Sequence, residues 1–467
     1  MNLINLITKI YAKCPAVIQD IGITLYGLKL YLERYTGKYN RYLIFYKCRT
    51  HKNINSEKRI QDRKFLKILH YAYENSPFYR ELYKDTDLRN IRSVKDIGKL
   101  PILTKEMLKS NYNRIFTIKP RKGLKFYTGG TTGSPILVLK RKADVQKRMA
   151  YLDAYKAEFG FINNKMPSAR FFGKNIIIHP PKNHVFWRNN YIAKQRLYST
   201  YHLQEENLAY YVEDLNKFKP AAIDGFASAI YTVAKYIIEN KIELSFIPKA
   251  VFTTSETLLP LYRETIEKAF HCIVSDQYAS NEGAPFIIQC EYGSYHEAID
   301  TGVFEHISTE YGEKLLVTGF DTFGTPLIRY DIGDMIMTCD KKSCACNSVH
   351  PVIGGILGRD SNYLICKSKG RISQSQLSVL ISELPKDIKE MQFLQKSLDT
   401  IEVLVVLSSM ADWGKVKYEL LDKLAFYLGK DMNYEVEFTK NIKRSKSGKF
   451  QLIINQMEDK EYAKAAH

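Results

Sequence analysis

The chain has 467 residues, 45% of them hydrophobic, and a formal charge of +19. Its length is two to three times that of an ordinary domain and its apolar share lies outside the disordered range, so one large core and at least one smaller one are expected. Basic and aromatic residues, including 33 tyrosines, are scattered along the chain without an RNA-binding signature or zinc-finger spacing, which excludes nucleic acid in favour of phosphate-bearing ligands or an anionic surface.

No run reaches the ~18 uninterrupted apolar residues of a membrane-spanning helix. The segment Met1 to Tyr31 is broken by Lys9, Lys13, Asp20 and Lys29 and lacks the apolar core and cleavage site of a signal peptide. Leu3, Leu6, Ile7 and Ile10 share one helical face, which either packs on the protein's own body or touches a membrane surface. The eight cysteines, without a secretory signal, point to a reducing compartment, so a cytoplasmic protein is expected, either free or peripheral to the inner face of the membrane.

Residues from about 55 to 75 read as an amphipathic helix, with Phe65, Ile68, Leu69, Ala72 and Tyr73 at helical spacing and Ser76-Pro77 as the stop. From about residue 125, short β-branched runs alternate with helical patterns: Phe171 to His179, Leu208 to Phe218, Ala222 to Asp224 and Ile230 to Glu239. That alternation predicts an α/β core. Short strands and turns dominate between about 296 and 357, as in Lys314 to Phe320 and Leu327 to Ile336. The last hundred or so residues form a separate α+β pattern, with strands at Ile401 to Leu407 and Tyr434 to Phe438 and a helix at Val416 to Tyr427. The expected division is a helical extension over 1–55, a large domain over 56–358 containing a β-rich lobe at about 290–357, and a small C-terminal domain over 362–467.

The sharpest local signal is Thr128-Gly129-Gly130-Thr131-Thr132-Gly133-Ser134-Pro135 after Phe126-Tyr127. Its glycines let backbone N–H groups turn inward on an anion, and its hydroxyls can follow phosphate oxygens. It ends in no Gly-Lys-Ser/Thr and is not a dinucleotide fingerprint; taken alone it is equally a hairpin turn of small residues.

With four further segments in the same order, this loop resembles that of the adenylate-forming superfamily. Asp276-Gln277-Tyr278-Ala279-Ser280-Asn281-Glu282-Gly283 resembles the family's aromatic-glycine-x-x-glutamate motif, with Ala279 in the glycine's place. The resemblance implies that Tyr278 stacks on adenine, Asn281 lies near the α-phosphate and Glu282 holds magnesium, a hard ion suited to a carboxylate. Ser255-Glu256-Thr257 matches the segment bordering the adenine ring. Ile328-Arg329-Tyr330-Asp331-Ile332-Gly333-Asp334 places Asp334 on the ribose hydroxyls, and Gly358-Arg359-Asp360-Ser361 brings Arg359 towards ribose and phosphate. Ser445-Lys446-Ser447-Gly448-Lys449-Phe450 resembles the C-terminal lysine motif, in which Lys449 neutralises charge at the reacting phosphate.

Within the superfamily the chain is most similar to the phenylacetate-CoA ligases and their CapK relatives, through Asn75-Ser76-Pro77-Phe78-Tyr79-Arg80, Asp224-Gly225-Phe226-Ala227-Ser228 and Gln392-Phe393-Leu394-Gln395. It departs from them at Gly129, often serine, at Ala227, often proline, and at the pivot, where Ser361 stands and Asp360 comes one place early. The implied fold is α/β: a large domain of two helix-flanked β-sheets with a small β-barrel-like lobe, and a mobile α+β C-terminal domain. The implied chemistry is ATP- and Mg²⁺-dependent formation of an acyl-adenylate from a carboxylic acid, with Lys449, Glu282 and Thr131 as the catalytic groups. Coenzyme A, or an amine or hydroxyl of a saccharide in surface polysaccharide synthesis, is then the acceptor. The competing expectation is an inactive nucleotide-binding relative serving as a scaffold in polysaccharide assembly. Separately, Cys290, His296, Cys344 and Cys346 offer three thiolates and an imidazole, the donor set of a closed structural zinc site; free cysteines in a turn-rich region are the alternative.

Overall fold

The computed structural model describes residues 10–49, 53–127, 136–173, 175–178, 181, 183–309, 312–341, 343–359, 362–374, 376–408, 410–445 and 448–457. The loop residues Thr128, Gly129, Gly130, Thr131, Thr132, Gly133, Ser134 and Pro135 lie outside this set, as do Leu3, Leu6, Ile7, Asp360, Ser361, Lys446 and Ser447.

The helix expected near residue 55 runs Ile54–Asn75. The Asn53 side chain caps it by accepting from the Asn55 and Ser56 N–H groups, which satisfies two donors that have no partner within the helix. Phe65, Ile68, Leu69 and Ala72 are fully buried with Val303, Leu315 and Val317 of the β-rich lobe. Each large side chain so buried contributes about 2 kcal/mol. Pro77 then starts a short helix, Pro77–Leu82, whose Tyr79 hydroxyl donates to the Pro326 carbonyl at 2.9 Å.

The main sheet has nine strands in the order Val352–Ile353, Tyr295–Glu297, Ile287–Gln289, Val274–Tyr278, Ala250–Thr254, Ala222–Gly225, Ser168–Phe172, Gln195–Ser199 and Trp187–Asn190. The five from Val274–Tyr278 to Gln195–Ser199 are mutually parallel, and the outer strands pair antiparallel. Helices Glu205–Phe218, Ala227–Glu239 and Pro260–Phe270 connect or follow the parallel strands, as strands buried on both faces require. Sequence periodicity located the strand Ala222–Gly225 and the helices Glu205–Phe218 and Ala227–Glu239 to within a few residues. The run from Phe171 to His179 does not continue as a strand, which ends at Phe172.

The lobe after residue 300 is an open antiparallel sheet of four strands, Gly302–Thr309, Gly312–Gly319, Tyr330–Met337 and Gly355–Arg359. Among the described residues its edge strands do not pair, so the barrel-like expectation reduces to an unclosed sheet with irregularities at Leu315/Leu316 and Met335/Ile336. Cys290 and His296 sit on the antiparallel edge of the main sheet instead. The C-terminal sheet runs Asn433–Phe438, Thr400–Leu407, Ile388–Gln395, Ile453–Asn455, with Val416, Leu420, Leu424 and Leu428 of helix Trp413–Leu428 buried in its core.

Candidate functional site

Ligand crevices in open α/β sheets form beyond the carboxyl ends of the parallel strands. Here those ends deliver Gly173, Phe226, Ser255 and Ala279 to the rim of one cavity of about 720 Å³. Ser255 takes a left-handed φ of 70°, a conformation that costs a side-chain-bearing residue about 1–2 kcal/mol, and turns the chain immediately before Glu256. Glu256 and Thr257 line the cavity together with Tyr278, Ala279, Ser280, Asn281, Glu282, Asp334, Arg359 and Lys449. The structure thus gathers every described residue of the expected nucleotide site around one hollow.

The contacts within it are specific. The Tyr278 hydroxyl donates to Asp334 Oδ2 at 2.6 Å, and Arg359 Nε lies 3.0 Å from Asp334 Oδ1. Arg359 also donates to the Ile332 carbonyl at 2.9 Å, fixing the guanidinium beside the sheet. Desolvation and the adjacent Asp334 carboxylate hold the Tyr278 phenol well above its ordinary range, and Asp334 raises Arg359 further. Asn281 Nδ2 donates to the Tyr127 carbonyl at 3.4 Å, which sets this motif against the start of the glycine-rich segment. The Ser280 hydroxyl accepts from the Gly283 and Ala284 N–H groups at 3.2 and 3.1 Å, and Glu282 behind it is buried.

Lys449 arrives from the opposite end of the chain. Its pKa is lowered by burial, against which the carboxylates of Glu256, Asp334 and Glu282 act, so the ammonium lies within the field of all three. Two features seat it. Glu256 Oε1 accepts the Phe450 N–H at 2.8 Å. Gly448, at φ 75°, presses on the Gly173 backbone so closely that an added Cβ would stand 2.3 Å from the Gly173 Cα.

Several residues that the motifs did not reveal also line this cavity. Lys105, Lys140 and Arg148 surround the Glu282 side. Burial and the neighbouring Arg148 push Lys140 down to about 7. Arg148 donates to the Gly283 carbonyl at 3.2 Å and stacks on Phe286. Towards the N-terminal helix the cavity continues between Ile23, Leu30, Leu152 and Phe172, with Lys156 and Arg170 paired to Asp224 at its floor. The clue to Lys140 was a lysine closing the apolar run from Ile136 to Leu139; nothing local marks Lys105 or Arg148 among 69 basic residues.

Away from the cavity, ligand atoms of Cys290, His296, Cys344 and Cys346 all lie within 4.8 Å of one another. Cys290 Sγ is 3.5 Å from Cys344 Sγ, and Cys346 Sγ is 3.3 Å from His296 Nε2. His296 Nδ1 is 3.2 Å from the His350 carbonyl, the kind of bond that orients an imidazole.

The C-terminal segment 364–456 matches the family model of the CapK C-terminal domain. The chain is 35% identical to Protein CapK of Staphylococcus aureus over 452 residues, 96% of this chain and 99% of that one. It is 23% identical to the phenylacetate-coenzyme A ligase of Thermus thermophilus, over 75% of this chain and 81% of that one. It shares its fold with 2-hydroxyisobutyryl-CoA ligase: the structure in the postadenylation state with R3-HIB-AMP aligns at TM-score 0.69 and 16% identity, covering 89% of this chain and 92% of the ligase. The same ligase in the thioesterification state aligns at 0.53 and 17% identity, over 87% and 91%.

Proposed function

This chain belongs to the CapK family, on the phenylacetate-CoA ligase branch of the adenylate-forming superfamily, and from that premise we propose that it activates a carboxylic acid with ATP. A carboxylate oxygen attacks the α-phosphorus, the bond from that phosphorus to its bridging oxygen breaks, and pyrophosphate leaves an acyl-adenylate behind. The observation that carries this reading is the convergence of Glu256, Glu282, Asp334, Arg359 and Lys449, far apart in sequence, on one cavity.

In this reading Tyr278 stacks on adenine, with Ser255, Glu256 and Thr257 along the ring's edge and Ala279 and Ser280 behind it. Asp334 accepts from the ribose hydroxyls. Arg359 bridges ribose and phosphate, and Asn281 approaches the α-phosphate. The segment from Thr128 to Gly133, Thr131 above all, takes the outer phosphates. Lys449 supplies positive charge where it accumulates as pyrophosphate departs. Glu282 would hold magnesium: its carboxylate is buried, and it is a hard oxygen donor facing Lys105 and Lys140. When bound, the ion screens the phosphate charge. Residues 1–55, 56–358 and 362–467 act as extension, main domain and lid, and the better alignment with a postadenylation state supports a lid seated for the first half-reaction.

The adenylate then passes to the thiol of coenzyme A or to an amine or hydroxyl of a saccharide built into surface polysaccharide. The relatives' ligase names support the first acceptor, and the kinship with CapK supports the second. The mixed wall of the acid end, aliphatic with a charged floor, accommodates an acid with both apolar and polar parts. Cys290, His296, Cys344 and Cys346 hold a structural zinc. Zn–S bonds of about 2.3 Å put tetrahedral sulfur ligands about 3.8 Å apart, close to the separations present.

Carboxylate-dependent pyrophosphate release across aromatic, fatty, hydroxy and amino acids, with and without each acceptor, tests the proposal. At least one acid class should release pyrophosphate and AMP. Release by none, with ATP bound, would leave only a nucleotide-binding scaffold.

A further inference from the structure

The helix Ala16–Arg34 is built inside out. Two of its polar residues point inward: Gln19 and Asp20 are buried, Gln19 accepting from Arg188 Nε at 2.6 Å and Asp20 accepting from the Asn189 backbone and side chain at 2.9 and 2.8 Å. Gly27 lets the helix settle on Asn190, whose side chain an added Cβ would meet at 2.4 Å. The opposite side carries Val17, Ile18, Ile21, Leu25, Leu28 and Leu32, each between 38% and 71% exposed. At 100° per residue these six fall in a sector about 100° wide over about 23 Å of helix. Water would favour the reverse arrangement, and the polar pins to the strand Trp187–Asn190 keep the helix from rolling over.

The charge around this stripe names what covers it. The first 49 residues hold eight Lys and Arg against two acidic residues. Lys13, Lys29, Lys38 and Arg41 are exposed, whereas Asp20 is buried and Glu33 lies 4.0 Å from Lys29. Two copies joined through this face would bring like charges together. An anionic lipid surface satisfies both requirements, taking the six side chains into its acyl boundary and pairing the cations with headgroups.

We infer that this face of the Ala16–Arg34 helix docks the protein on an anionic lipid bilayer. No described helix is long and apolar enough to cross a membrane, so the contact lies in the interface plane. The inner side of the same helix contributes Ile23, Tyr26 and Leu30 to the cavity, so docking sets the acid end of that cavity beside the lipid. The inference does not depend on the reaction proposed above.

Co-sedimentation of the full chain with vesicles tests it. Binding is expected to phosphatidylcholine vesicles containing about one-third phosphatidylglycerol, to weaken in high salt, and to be at least about tenfold weaker on pure phosphatidylcholine. Leu25→Glu with Leu28→Glu, placed on the solvent side, should lower partitioning about tenfold without changing thermal unfolding or nucleotide binding. Leu25→Trp should show a blue-shifted emission on anionic vesicles only. Failure of the wild type to bind, equal binding by the double variant, or an unshifted tryptophan would overturn the docking. So would a dimer in sedimentation equilibrium that the double variant dissociates, because a second copy would then cover the stripe.

Discussion

Glu256 ties the C-terminal segment to the main domain: one carboxylate oxygen accepts the Phe450 N–H at 2.8 Å and the other accepts the Ser228 N–H at 3.0 Å. The residue expected at the edge of an adenine ring therefore also fixes the segment that carries Lys449. A hydrogen bond to a charged group is worth about 1.5–3 kcal/mol, or about ten- to a hundredfold in an equilibrium. Glu256→Gln keeps one acceptor and turns an amide against the other N–H. We expect carboxylate-dependent pyrophosphate exchange to fall at least about tenfold while ATP affinity stays within about threefold. Unchanged exchange would remove Glu256 from this role.

Lys449→Ala takes away the cation without touching the nucleotide's ring or ribose contacts. Loss of one preorganised charge at a reacting phosphate costs about 10²–10³ in rate. Exchange should fall by that factor, with ATP binding retained in a direct titration. Near-wild-type exchange in this variant would count against the assignment.

Lys140 gives the site a pH dependence. Burial holds its pKa at about 7, far below the usual lysine range. Phosphate oxygens nearby would favour the ammonium form and raise that value in the complex, so nucleotide binding takes up a proton above pH ~7. ATP affinity should then be highest at or below about pH 7 and weaken, by up to about tenfold per unit, as the pH rises towards the raised value. Lys140→Met should flatten this slope. A flat profile in the wild type would show that Lys140 does not face the phosphates.

The Cys290, His296, Cys344 and Cys346 cluster should yield one zinc per chain on metal analysis, and Cys344→Ser with Cys346→Ser should release it. Tyr295, next to His296, donates to Asp276 at 3.1 Å, and Asp276 lies two residues before Tyr278. Loss of the metal should therefore loosen the adenine platform as well as lower the melting temperature, which would appear as weaker ATP binding. A metal-free wild type would end the idea.

Much of this was legible in the sequence because the cavity is built from strand ends, and strand ends carry compact motifs. Tyr278, Glu282, Asp334, Arg359 and Lys449 each stand in a short segment whose order along the chain identified them, and the structure gathers all five. Lys105 and Arg148 escaped because one basic residue among many carries no periodicity, and Lys140 showed itself only as a lysine closing an apolar run; their place in the folded cavity is what singles them out. The barrel-like lobe failed for a related reason: alternation shows that strands exist, but closure depends on whether the edges meet. The glycine-rich segment from Thr128 to Pro135 lies outside the described residues, so its role rests on the motif and on the Asn281 contact beside it.

The meeting of Gly448 with Gly173 works as a gauge of distance. Gly448 holds a left-handed φ of 75°, and a single methyl on it would run into the Gly173 backbone and hold Lys449 back from the pocket. The reach of Lys449 is thus set by the absence of a side chain at residue 448, where a change as small as one carbon would displace the cation from the phosphate it serves.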